Sequence, residues 1–164
     1  MQSIHSIELK LNKPDLAAIP RLDHKEYNED MSEAEKARLS SQVFLYEDNI
    51  LYYREAPIMT VPQLQVYQEK IRELTKDMDS FYMLIDLTKS APPSPEARYY
   101  LTEAFSKYKG LRHLAIFHNK NILLGVSAKF VVPTFGKNFT VHRSFAQALK
   151  KTYQLKYEEE SKRN

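Results

Sequence analysis

The sequence predicts a single α/β domain with a mixed, mostly parallel sheet, an N-terminal hairpin and about four helices. Two apolar runs, FYMLIDL and LRHLAIF, have the length and composition of strands that are covered on both faces. Segments with helical spacing alternate with these runs, and this order implies right-handed crossovers between parallel strands. The stretch VFLYEDNILYYRE comes before them and reads as two short strands around turn residues, which indicates an antiparallel hairpin.

The first 42 residues form a separate stretch, predicted as an N-terminal extension. Ile7, Leu9 and Leu11 alternate with charged residues, as in a half-buried strand. A linker with two prolines follows. Ser32 and Glu35 have the spacing of a capping box, which predicts a short helix ending near residue 39. The main domain is expected over 43–156, and a solvated tail over 157–164.

Four helices are expected within the main domain. The first begins at Thr60, where Pro62 lies in the first turn, and the second begins at Ser94 and ends at Gly110. The third is NILLGVSAKFVV, closed by Pro133, and the last is SFAQALKKTY. The short segment FTVH, between the last two helices, is predicted to be a strand.

Composition excludes several classes of protein. The chain has no cysteine, so it has neither disulfides nor cysteine-ligated zinc, and this suits a cytoplasmic protein. A net charge of +3 is too small to predict nucleic-acid binding. No segment reaches the ~20 apolar residues of a membrane span, and no signal peptide is evident. The histidines are scattered and predict no metal site, and no cofactor motif is present among only three glycines.

The chain resembles the STAS superfamily, and most closely its stand-alone SpoIIAA-like domains, which are related to anti-sigma-factor antagonists. The resemblance covers roughly residues 43–153. It is carried by FYMLIDLTKSAPPSPEARYYL, HLAIFHNKNILLGVSAKFVV and FTVHRSFAQALKKTY. It implies a non-enzymatic regulatory module whose partner is a kinase, a phosphatase or an anti-sigma-type regulator.

In the antagonist branch of that family, the serine that opens the helix after the central strand is phosphorylated, and Ser94 has the matching position. That branch has an acidic residue before the serine and glycines after it, whereas this chain has Pro93 and Pro95. Local chemistry also predicts Ser94 as a helix N-cap, and the two roles are compatible. The predicted interaction surface consists of Asp86, Ser94, Glu96, Arg98 and Tyr99.

Other features support alternatives. An apolar loop with Val131, Val132, Phe135 and Phe139 would suit a small-molecule or lipid-binding domain, since the SpoIIAA-like proteins share a fold with Sec14-type domains. A homodimer is a third alternative, formed through the N-terminal strand at a sheet edge. The pairs Tyr52–Tyr53 and Tyr99–Tyr100 are each predicted to have one buried ring and one partly exposed ring.

Overall fold

The computed structural model describes residues 13–119 and 138–164. A 3-10 turn at Leu16–Ala18 is followed by four α-helices and five β-strands within these residues. In chain order they are α1 (Glu33–Ser40), β1 (Val43–Glu47), β2 (Ile50–Arg54), α2 (Val61–Thr75), β3 (Phe81–Asp86), α3 (Pro95–Ser106), β4 (Leu111–Phe117), β5 (Phe139–His142) and α4 (Phe145–Arg163).

The strands form one sheet in the order β1-β2-β3-β4-β5. The hairpin pair β1 and β2 is antiparallel, and each following pair of neighbours is parallel. The hairpin turn contains Asp48, whose φ of 37° lies in the left-handed region that a short polar side chain tolerates. The predicted fold class, α/β with a mostly parallel sheet entered through a hairpin, is therefore confirmed.

Each face of the sheet has its own apolar core. Helices α1, α2 and α3 pack on one face, where buried residues such as Leu39, Ile71 and Phe105 meet the strands. Helix α4 covers the other face through Ala148, with Phe145 partly buried beside it. The inward-facing residues of α2 and α3 recur at the helical spacing that predicted these helices.

Strand β2 is more deeply buried than expected. Tyr52 and Tyr53 are exposed by only 2% and 1%, so the prediction that one of the two rings is partly exposed was wrong. The reason is that β2 lies between β1 and β3, with helices on both faces. At the second tyrosine pair the prediction is confirmed, because Tyr100 is half-buried and Tyr99 is 71% exposed.

Helix α3 ends at Ser106, four residues before the glycine that was predicted to end it. Gly110 has a different role, since its carbonyl accepts a hydrogen bond from Phe81 N at 2.9 Å where β3 begins. A Cβ at this position would lie 3.0 Å from the Asp79 carbonyl oxygen. The glycine therefore permits close approach of two backbone segments, which a side chain would obstruct.

The described part of the predicted extension packs on the main domain. Tyr27 is 1% exposed and belongs to the same core as α2 and α3. The capping box of α1 is confirmed, because Ser32 Oγ accepts from Glu35 N and the Glu35 carboxylate accepts from Ser32 N. At the other end, α4 continues to Arg163 through the residues treated as a tail, and Glu159 contacts Arg112 at 3.3 Å.

Two predicted elements, the strand around Ile7–Leu11 and the helix over 121–132, lie outside the described residues. The homodimer hypothesis depends on that strand and stays a prediction. Of the helices in 13–119 and 138–164, none combines the length and the apolar character needed to cross a bilayer.

Candidate functional site

The carboxyl ends of the parallel strands meet at one edge of the sheet, where Asp86 ends β3. Its carboxylate is 2% exposed and is held by groups from three parts of the chain. Oδ1 accepts hydrogen bonds from Thr88 N at 2.9 Å and Thr88 Oγ1 at 2.6 Å, and Oδ2 accepts one from the Tyr52 hydroxyl at 2.8 Å. Burial, together with the neighbouring Asp86 charge, raises the pKa of Tyr52, so this hydroxyl remains a donor.

Arg54, at the end of β2, supplies the cation for this carboxylate. Its Nε lies 3.7 Å from Asp86 Oδ2, and both side chains are buried. The terminal nitrogens of Arg54 donate to the carbonyl oxygens of Ile19 at 2.9 Å and Leu16 at 3.0 Å. One guanidinium thus compensates a buried charge and fastens the N-terminal segment to the sheet.

A second buried carboxylate, Glu55, directly follows Arg54 and faces the opposite core. Glu55 Oε2 accepts a hydrogen bond from the Tyr53 hydroxyl at 2.6 Å, and Oε1 accepts from Ala56 N at 2.8 Å and Gln63 Nε2 at 2.9 Å. All three donors are uncharged. Burial raises the pKa of Glu55 to about 7, against the opposing effect of these hydrogen bonds.

A cleft with a volume of about 670 Å³ opens at this edge. We name it the carboxyl-edge cleft. Its walls come from the N-terminal segment, from the ends of β2, β3 and β4, and from the start of α4. Its lining residues are Leu16, Ala17, Ile19, Pro20, Arg21, Tyr52, Arg54, Asp86, Thr88, Phe117, Asn119, Arg143, Ser144 and Phe145. The carboxyl edge of a parallel sheet is the usual place for ligands in open α/β folds.

The predicted interaction surface divides into two places. Ser94, Glu96, Arg98 and Tyr99 are all exposed at the start of α3. Ser94 is the N-cap of this helix, and its Oγ accepts from Ala97 N at 3.1 Å, which confirms the capping role. Asp86 is buried in the network described above and is not part of the exposed surface.

The predicted apolar loop is only partly described. Val131, Val132 and Phe135 lie outside the described residues, so this part of the loop stays a prediction. Phe139 is the first residue of β5 and packs, partly buried, against the core beneath α2 and α3.

The histidines of the last strands meet at one threonine. His113 Nε2 lies 2.9 Å and His142 Nε2 lies 2.6 Å from Thr140 Oγ1. Burial, with the Lys151 and His142 charges nearby, lowers the pKa of His113 to about 4, so the ring is neutral. Across 13–119 and 138–164, no three His, Cys, Asp or Glu side chains are arranged to hold a metal ion.

Sequence reasoning singled out Asp86 but missed its partners and the whole of the Glu55 network. Asp86 and Arg54 are 32 residues apart, and no local spacing pattern joins them. The available signal was the two-residue period of a strand, which places Tyr52 with Arg54 on one face and Tyr53 with Glu55 on the other.

No protein-family model matches this chain, and no curated protein and no solved structure matches it significantly. The STAS resemblance therefore stays a prediction.

Proposed function

We propose that this protein is a non-enzymatic regulatory module of the STAS, SpoIIAA-like kind, which contacts a partner protein through the start of α3. The observation that carries the proposal is the exposed cluster of Ser94, Glu96, Arg98 and Tyr99. The Tyr99 ring is 71% exposed, and exposed tyrosines are enriched at protein interfaces. We name this cluster the Ser94 surface.

Ser94 also has suitable chemistry for a phosphorylation switch. Its Oγ is a hydrogen-bond acceptor in the cap, so the hydroxyl proton is not used in that bond. A phosphate here would lie at the N-terminus of α3, where the helix dipole favours negative charge, and would add about two charges. Kinases and phosphatases are the partners that such a switch requires.

The Asp86 network supports a role without catalysis at this carboxylate. Its two oxygens already accept three hydrogen bonds, and Arg54 compensates the charge. A general base must also lie within hydrogen-bond reach of the proton it removes, and little of this residue, which is 2% exposed, is open to a substrate. We infer that Asp86 organises the carboxyl edge and does not act as a base.

The test combines mass analysis with affinity capture. Protein from the native host should contain a species carrying one phosphate, which Ser94→Ala removes. Ser32→Ala is the matched control, because Ser32 is also an exposed serine N-cap. Each substitution costs about 1 kcal/mol of stability through the lost cap, so only the phosphate distinguishes them.

Partner contact is tested with Tyr99→Ala, which should lower affinity for the captured partner at least tenfold. Tyr157→Ala is the control, since Tyr157 on α4 is 72% exposed. Equal partner binding by both tyrosine variants, together with an unphosphorylated native protein, would overturn the proposal.

A second candidate function, small-molecule binding of the Sec14-like kind, is favoured by the carboxyl-edge cleft. Its volume of about 670 Å³ lies within the range of roughly 300–1,000 Å³ for ligand pockets. Native mass spectrometry of freshly purified protein should then show a bound small molecule, and an apo mass alone would count against this candidate.

A further inference from the structure

We propose that the carboxyl-edge cleft binds a small organic anion, in which a phosphate or carboxylate group is joined to an aromatic or apolar body. The inference rests on the second candidate function, small-molecule binding, and does not depend on the Ser94 surface. Two separate features of the cleft carry it, an aromatic wall and an excess of positive charge.

The aromatic wall consists of Tyr52, Phe117 and Phe145, which all line the cleft. Their rings contact one another, with centroids 6.2 Å apart for Tyr52 and Phe117, 5.9 Å for Tyr52 and Phe145, and 5.7 Å for Phe117 and Phe145. Tyr52 and Phe117 are only 2% and 3% exposed, so they form the floor of the cleft, and the partly exposed ring of Phe145, which packs on them, is the aromatic ring open to a ligand. Such a wall suits a planar or apolar body better than a bare inorganic ion.

The positive charge comes from three arginines, Arg21, Arg54 and Arg143, against the single carboxylate of Asp86. Arg54 balances Asp86 at 3.7 Å. Arg21 lies at the outer limit of ion-pair distance from the same carboxylate, 4.0 Å, with nearly half of its side chain exposed. Asp86 can neutralise one of these cations, so the cleft retains an excess of two positive charges.

Arg143 is the second cation available to a ligand. It is exposed, and its guanidinium has no hydrogen bond or ion pair with residues 13–119 or 138–164. Arg143 directly precedes Ser144, the N-cap of the 19-residue helix α4. The positive end of the helix dipole therefore adds to the arginine charge at this wall.

The backbone around these arginines is held in place by hydrogen bonds within the protein. Arg54 is 5% exposed and binds the carbonyl oxygens of Leu16 and Ile19, which holds the segment leading to Arg21 against the sheet. Because Arg54 is nearly buried and its charge is balanced by Asp86, an entering anion would find Arg21 and Arg143 as its principal donors. Guanidinium groups bind phosphate and carboxylate oxygens in bidentate fashion.

The test is a calorimetric titration of the full chain with four probes: phenyl phosphate, phenylacetate, inorganic phosphate and benzyl alcohol. We expect the two aromatic anions to bind with Kd of about 1 mM or below. Inorganic phosphate and benzyl alcohol should each bind at least tenfold more weakly, since each lacks one of the two recognised parts. The difference between phenyl phosphate and phenylacetate then shows which anionic group the cleft prefers.

Variants locate the site. Arg21→Gln and Arg143→Gln should each weaken phenyl phosphate binding about tenfold, as expected for loss of one charge-assisted contact. Arg112→Gln is the matched control, because the Arg112 side chain is 44% exposed and lies at the opposite, amino end of β4. It should leave the affinity within twofold of wild type. Thermal melting of each variant confirms folding, which neither exposed arginine is expected to affect.

Four results would overturn the inference in different ways. Benzyl alcohol could bind as tightly as phenyl phosphate, with the same affinity in both cleft variants. That result would be consistent with small-molecule binding but would show that the ligand need not be an anion. If inorganic phosphate bound as tightly as phenyl phosphate, the aromatic wall would not contribute to ligand recognition. If none of the probes bound, or if Arg112→Gln weakened binding as much as the cleft variants, the proposed site would be wrong.

Discussion

Two buried carboxylates lie at the ends of neighbouring parallel strands, Asp86 as the last residue of β3 and Glu55 directly after β2. A hydrogen bond from Glu55 N to Asp86 O at 3.0 Å joins their backbones. Asp86 is 2% exposed and Glu55 is 5% exposed. Their electrostatic environments nevertheless differ. Arg54 lies beside Asp86, whereas in the described part of the chain no cation lies within ion-pair distance of Glu55.

The comparison shows that burial alone does not decide the charge of a carboxyl group. Both groups accept three hydrogen bonds, but only Asp86 has a partner of opposite charge. At Glu55, uncharged donors offset desolvation only partly, and burial raises the pKa to about 7. The protein thus has two buried carboxyl groups on opposite faces of adjacent strands, one paired with a cation and one held only by uncharged donors.

The largest effect is expected from removing the cation. Arg54→Met should lower the free energy of unfolding by about 3–5 kcal/mol, because Asp86 would be left as an uncompensated buried charge. The measurement is urea denaturation at pH 7. Lys36→Met is the control, since the exposed pair of Lys36 and Glu33 should contribute at most about 1 kcal/mol. Adding Asp86→Asn to Arg54→Met should restore part of the lost unfolding free energy, because the unpaired charge is removed. Equal losses of unfolding free energy in Lys36→Met and Arg54→Met would show that Arg54 does not compensate a buried charge.

The next effect concerns pH. The pKa of Glu55 rises from 4.5 to about 7 on folding, so the folded state holds the proton more tightly than the unfolded state. Its stabilisation is complete below pH ~4.5 and is lost as pH rises to ~7, by about 3 kcal/mol in total. We therefore expect wild type to lose about this much stability relative to Glu55→Gln between pH 4.5 and pH 8.

Denaturation of both proteins across this pH range checks the expectation. Glu73→Gln is the control, because the Glu73 side chain is 65% exposed and should show no such difference. A stability difference between wild type and Glu55→Gln that stays constant with pH would show that Glu55 remains charged in the folded protein.

The smallest effect is expected from removing one of the hydrogen bonds that the Asp86 carboxylate accepts. Thr88→Val removes the donor Oγ1 but keeps the donor N on the same Asp86 oxygen. Because Thr88 is half-buried and water can replace its hydroxyl, the cost should be about 1 kcal/mol. Thermal melting measures it, and a cost close to that of Arg54→Met would mean that Thr88, rather than the arginine, holds the charge.

Local patterns in the sequence predicted much of the fold. The capping signatures at Ser32, Thr60 and Ser94 all mark observed helix starts, because an N-cap depends only on residues within one turn. The apolar runs predicted β3 and β4 for a similar reason. The end of α3 and the burial of β2 were not predicted correctly, since both depend on contacts with distant segments.

The candidate sites divide in the same way. Ser94 was identified from its place before a helix, and its capping bond follows from adjacent residues. Asp86 was identified from its place at a strand end. Its burial was not predicted, and Asp86 was therefore grouped with exposed residues. Arg21 and Arg143 were not identified at all, since they are 122 positions apart and only the folded chain brings them to one cleft.

The sequence by itself determined the α/β class, the hairpin and the helix starts, because period, capping and turn chemistry act over a few residues. Tertiary structure decided which strand would be central, which carboxylate would meet a cation, and where a cleft would open. These outcomes depend on the order of strands in the sheet and on side chains far apart in sequence. Arg54, the last residue of β2, and Glu55, which follows it, face opposite cores, and only the folded chain gives Asp86 a cationic partner and leaves Glu55 with uncharged donors.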